Sequence, residues 1–148
     1  RLTLRPLAAA AAALALLAAG VGIGVLVAGD GEPAAAGPAV ALQPVGTEAP
    51  AAAGEALVVA SDGGGLRLRV DGLPPSPEGE HYELWLLDGP DRLLSLGAFR
   101  VPPEGATEVT VPLPVPLTAF GFVDVSVEPD DGDPSHSGRS VLRGATGA

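Results

Sequence analysis

Hydrophobic and polar positions follow three different patterns in three successive blocks of this chain. From Leu7 to Ala28 there is no alternation at all: LAAAAAALALLAAGVGIGVLVA runs for 22 residues without a charged or strongly polar side chain. As a helix rising about 1.5 Å per residue it spans roughly 33 Å, enough to cross a hydrocarbon core of about 30 Å while bonding its own backbone. The run predicts a single transmembrane helix. It is longer than the apolar core of about 7–15 residues carried by a cleaved signal peptide, although Ala34-Ala35-Ala36 has the small side chains of a cleavage site.

Gly29 to Glu55 shows no hydrophobic period, and Pro33, Pro38, Pro44 and Pro50 recur among Ala and Gly. Such a composition buries too little surface to offset its ordering entropy, which predicts a flexible tether open to proteases. From Ala56 onward the period becomes two. Leu66, Leu68 and Val70 alternate with Arg67, Arg69 and Asp71. Val109, Val111 and Leu113 form a similar run, and Val123, Val125 and Val127 alternate with Asp124, Ser126 and Glu128. These are half-buried strands.

His81 to Asp88 (HYELWLLD) is apolar on both faces apart from Glu83 and reads as a central strand. Arg92 to Phe99 follows across the turn residues Gly89-Pro90-Asp91, which suggests a hairpin. Ala56–Ala60 and Ser140–Arg143 complete a set of about seven short strands separated by prolines. The expected fold is all-β, a small antiparallel β-sandwich over residues 56–148. It follows a stub at 1–6, the membrane helix at 7–28 and the linker at 29–55.

Charge gives this arrangement a direction. Arg1 and Arg5 precede the apolar run, whereas every acidic residue follows it. The positive-inside rule then places the stub in the cytoplasm and the β-domain outside, in a single-pass plasma-membrane protein. The net charge is −10 and the pI about 4.4, which argues against a nucleic-acid partner. The chain has no Cys, so disulfides and thiolate metal sites are unavailable. It has no Met either, even at its start, which leads to the expectation that it is a fragment of a longer product.

Candidate chemistry is sparse. Asp133, Ser135 and His136 have the residue types of a hydrolytic triad but sit side by side, where a polar turn is the favoured reading. Asp130, Asp131 and Asp133 lack the ligand spacing of a calcium loop. His81 and His136 are the only histidines. Tyr82 and Trp85 suit either a ligand platform or, as the favoured reading for a lone Trp on a central strand, the core. Within the apolar run, Gly20 and Gly24 form a G-x-x-x-G that suits either helix association or the ordinary glycine content of membrane helices. No catalytic residue, metal ligand or cofactor is expected, and the chain reads as a non-enzyme.

Three segments in order carry a resemblance: Tyr82-Glu83-Leu84-Trp85-Leu86, Ser95-Leu96-Gly97-Ala98-Phe99 and Val125-Ser126-Val127-Glu128-Pro129. Their spacing, with the loop Asp130–Gly138 and the run Ser140–Gly144, resembles the extracytoplasmic domain of the anti-sigma-K factor family. The motif residues are Tyr82, Leu84, Trp85, Leu96, Gly97, Phe99, Val127, Glu128 and Pro129, in a structural role. Two departures stand out. The loop is more acidic than usual and carries Ser135-His136 where a second proline is common. In the family a helical sigma-binding domain, often with a zinc-binding His/Cys motif, precedes the membrane helix, whereas the sequence before Leu7 here is Arg1 to Pro6, as expected of a fragment.

The resemblance implies a membrane-anchored anti-sigma factor that holds a sigma factor inactive until proteases cut outside and then within the membrane. The implied partners are therefore the sigma factor, bound through the domain lacking here, a site-1 type and an intramembrane protease, and the lipid bilayer. The alternative is a membrane-tethered β-sandwich module that binds an envelope ligand.

Overall fold

The computed structural model describes residues 37–60 and 64–147. The stub 1–6, the apolar run 7–28 and residues 29–36 lie outside the described residues. Among those described, no helix is long and apolar enough to cross a membrane.

Eight strands follow in chain order: β1 (Ala39–Pro44), β2 (Ala53–Val59), β3 (Gly65–Asp71), β4 (Glu80–Leu87), β5 (Leu93–Phe99), β6 (Thr107–Pro112), β7 (Phe122–Pro129) and β8 (Ser140–Ala145). A single 3-10 turn at Leu117–Ala119 precedes β7. The strands hydrogen-bond in the order β5-β4-β7-β8-β1-β2-β3-β6, and every neighbouring pair is antiparallel. The fold is all-β, as the alternation implies. Two features of the expected sandwich need correction: there are eight strands rather than seven, and they form one continuous, nearly closed sheet.

The extra strand explains both differences. β1 lies within the stretch expected to be a tether, and it is the link between two groups of strands. Ala39–Leu42 pair with Gly54–Leu57 of β2, after which Gln43 and Pro44 pair with Arg143 and Leu142 of β8. Its entry is fastened by Gly37 N–H to Val58 O at 3.2 Å and by Val58 N–H to Pro38 O at 3.1 Å. Val40 and Leu42 point into the core, while Ala39 and Ala41 are exposed. Residues 37–55 therefore belong to the folded domain and not to a linker.

Gly144 on β8 makes the close seating of β1 possible. A Cβ at this position would lie 2.2 Å from Ala41 O and 2.7 Å from Val40 Cγ1, so only glycine fits. At the far ends of the sheet, Gly97 serves a second close approach. It follows the bulge where β5 shifts register against β4, with φ of 156°, and a Cβ there would stand 3.2 Å from Val111 Cγ1 of β6. The two terminal strands thus meet without forming a ladder.

One apolar core fills the space the sheet encloses. It includes Leu42, Leu66, Leu68, Val70, Tyr82, Leu84, Leu86, Val123, Val125, Val127 and Leu142. Tyr82 stacks on Phe99 with ring centroids 5.7 Å apart and donates its hydroxyl to Pro74 O at 2.8 Å. Burial, then the nearby Glu48 and Glu80 carboxylates, push the Tyr82 phenol above its ordinary pKa.

Candidate functional site

Strand β7 departs from simple half-burial. Val123, Val125 and Val127 face the core, so strand geometry turns Asp124, Ser126 and Glu128 to the opposite face. That face should meet water. Instead Asp124 and Ser126 are fully buried and Glu128 nearly so. The cover is the segment 130–139, which folds back over β7 before β8 begins.

Each buried polar group is matched. Asp124 accepts from Arg143 Nε at 2.7 Å, Ser140 Oγ at 2.8 Å and His136 Nε2 at 3.2 Å. Glu128 accepts from Ser137 N–H at 2.8 Å through Oε2 and from the Ser126 hydroxyl through Oε1. Ser126 Oγ in turn accepts the Trp85 indole N–H at 2.9 Å. A buried carboxylate is tolerated only with such partners. The hydrogen bonds also define the tautomer of His136: Nδ1 accepts Gly138 N–H at 2.9 Å, so Nε2 carries the proton donated to Asp124.

Trp85 belongs to this polar face and is absent from the enclosed core. Its strand neighbours Leu84 and Leu86 point inward, while its own ring packs under the loop, 5.0 Å from the His136 ring and tilted by 55°. The expectation of a core Trp is thereby corrected: Trp85 is buried, but by the loop. Its register partner across the ladder is Asp124.

The covering loop is pinned along its length. Asp131 and Asp133 accept Asp133 N–H and Ser135 N–H at 2.9 and 2.8 Å, two successive Asx turns. The Ser135 bonds hold the Asp133 carboxyl below its ordinary pKa. Asp130 accepts from Arg100 Nη2 at 2.7 Å and lies 2.7 Å from His81 Nδ1; Arg100 and then His81 lower its pKa. Arg139 bonds Glu48 of the β1–β2 connection and Glu80 of β4, and the two carboxylates, Glu48 first, raise its already high pKa.

These contacts decide the candidates named from sequence. Both ring nitrogens of His136 are engaged by Asp124 and Gly138, and Asp133 caps its own turn, so Asp133, Ser135 and His136 form no nucleophile–base–orienter set. Asp130, Asp131 and Asp133 serve separate bonds. Among the described residues, no group of three or more His, Asp or Glu side chains is placed to hold a metal.

The motif residues divide between two environments. Tyr82, Leu84, Phe99 and Val127 lie in the enclosed core, with Leu96 packed against it and Gly97 beside the β5 bulge. Trp85 and Glu128 lie in the polar face, and Pro129 ends β7 where the loop begins.

Beside the loop opens a cleft of about 800 Å³, lined by Trp85, Leu87, Leu93, Phe122, His136 and Arg143 among others. A smaller one of about 420 Å³ is lined by His81, Ala98, Phe99, Arg100 and Asp130.

The strand order, the S-L-G-x-F bulge and the loop sealing a V-x-V-E-P strand are thus properties of one folded unit. Residues 7–140 match the family model described as anti-sigma-K factor rskA, C-terminal. The chain belongs to this family. The anti-sigma-K factor family is a regulatory class, with a sigma factor as the implied partner. No curated protein and no solved structure matches the chain.

Sequence reasoning missed the burial of the second face of β7 in this anti-sigma-K factor domain. A usable signal exists in retrospect: Trp85 and Glu128 both occupy outward positions of strands, where a large aromatic and a motif carboxylate imply a cover.

Proposed function

We propose that this chain supplies the membrane anchor and the extracytoplasmic regulatory domain of an anti-sigma factor. The observation that carries the reading is the extent of the family match. It starts at Leu7 and so takes in the 22-residue apolar run together with the β-domain. An apolar segment of that length with Arg1 and Arg5 just before it and every acidic residue after it suits a single span with the β-domain outside.

The regulation follows from where the fold begins. With Gly37 onward built into the sheet, the segment available for a first extracytoplasmic cut shortens from 29–55 to 29–36. A second cut in the membrane then frees the cytoplasmic portion with its sigma factor. The β-domain sets access to the first cut.

The absence of Cys permits a direct test with these 148 residues expressed by themselves, because a single introduced Cys is then their only thiol. A membrane-impermeant maleimide is expected to label Glu104→Cys in intact cells and Thr3→Cys only after lysis. The reverse pattern overturns the topology. Deletion of residues 29–36 is expected to suppress signal-dependent shedding of the β-domain, and shedding at the wild-type rate would remove that segment as the first cleavage site.

A further inference from the structure

The larger cleft combines three features that the sealing of β7 does not require. First, Leu93 at 37% and Phe122 at 39% are the exposed large hydrophobic side chains of the described residues, and both line this one cleft. They stand on β5 and β7, two strands that are not neighbours in the sheet. Second, the volume of about 800 Å³ is within the range of small-molecule sites.

Third, the cleft holds a guanidinium with its position fixed and most of its donors unused. Arg143 gives Nε–H to Asp124 and one Nη2–H to Ser140 at 3.0 Å, and lies over the Phe122 ring at 5.8 Å. Of the five N–H donors a guanidinium carries, three then have no partner among the described residues. They include the end-on pair, one from each terminal nitrogen, which matches the two oxygens of a carboxylate. The side chain is 36% exposed, so this end is within reach of a ligand. In the smaller cleft, by contrast, Arg100 bonds Asp130 and the Glu80 carbonyl through both terminal nitrogens.

We propose that this cleft binds an apolar organic acid, its carboxylate on the end-on fork of Arg143 and its apolar body between Leu93 and Phe122. The same chemistry is offered by a small aliphatic acid and by a peptide C-terminus ending in an apolar residue. The buried Asp124–Ser140 pair holds the fork ready, so little side-chain ordering remains to oppose binding. The assignment does not depend on the membrane topology or on a sigma factor, and fails or stands separately from that reading.

Trp85 is the sole tryptophan and lines the cleft, so its fluorescence reports occupancy. The experiment titrates the full chain in dodecyl maltoside with N-acetyl-leucyl-leucine and, separately, with hexanoate. Each is compared with its neutral amide, and the variants are Arg143→Lys and Leu93→Glu.

The expected result is a saturable change with at least one acid, weakened about tenfold or more in the amide and in Arg143→Lys, which keeps a charge beside Asp124 but loses the fork. Leu93→Glu alters an exposed position, leaves the thermal midpoint in place and is expected to weaken the acid as strongly. The tighter of the two acids identifies the source of the carboxylate. Equal responses to acid and amide, binding unaffected by Leu93→Glu, or no saturable change with either acid up to millimolar concentration would each overturn the proposal.

Discussion

The two faces of β7 are both buried, by opposite means. Val123, Val125 and Val127 are covered because the sheet curls around them, and many interchangeable apolar contacts share the work. Asp124, Ser126 and Glu128 are covered by a single loop, and each depends on a few named donors at fixed distances. The apolar face can lose an atom and keep most of its partners. The polar face is less forgiving, because each donor removed from Asp124 or Glu128 leaves a buried carboxylate short of a bond that water does not restore.

The largest effect is expected where that asymmetry is greatest. Arg143→Ala removes the cationic partner of a fully buried carboxylate and should destabilise the domain by about 3–5 kcal/mol. Replacing both partners, Asp124→Leu with Arg143→Met, should recover most of the loss. Urea midpoints of the single and double variants decide this; a double variant no better than the single would mean that the carboxylate was not the source of the cost.

On the apolar side, Leu84→Ala should cost about 3 kcal/mol through lost transfer energy and a cavity. No second substitution across the ladder should rescue it unless the volume is refilled. A full rescue by Val125→Asn would show the two faces to be energetically alike.

Trp85→Phe keeps most of the ring under the loop but deletes the N–H to Ser126. It is expected to cost about 1 kcal/mol and to speed hydrogen exchange at Ser137 and Gly138 before it affects β1–β3. Uniform acceleration across the domain would contradict a loop that seals locally.

The smallest effect concerns pH. Asp130 has a folded pKa below its ordinary value because Arg100 and His81 bind its ionised form. Its contribution is therefore present above the unfolded carboxyl pKa of about 3.9 and is lost as pH falls through the lower folded value. Asp133 behaves in the same direction. Unfolding midpoints measured between pH 6 and pH 2.5 should decline in the acid limb, and Asp130→Asn should flatten that decline slightly. An unchanged slope would remove Asp130 from the account.

Legibility in the sequence follows the same division. Strands β3, β4, β6 and β7 show either alternation or a two-sided apolar run over six to eight residues, and they lie where those patterns place them. β1 was obscured because only Val40 and Leu42 turn inward, among alanines and between Pro38 and Pro44. A strand with two anchors has almost no periodic signal; its order comes from two ladders supplied by β2 and β8. The polar face was obscured for another reason. Alternation shows which side chains leave the core, but whether a distant loop returns to cover them depends on tertiary bonds such as those of His136 and Ser137.

The position of β1 has a mechanical consequence. It is the first of the described strands and also the one that joins β8 to β2. Tension applied ahead of Gly37 would therefore load a strand held by two ladders at once, seated tightly against Gly144. Withdrawing that strand divides the sheet into β5-β4-β7-β8 and β2-β3-β6. A pull from this end is therefore resisted by both ladders, and once they yield the two remaining groups of strands share no ladder.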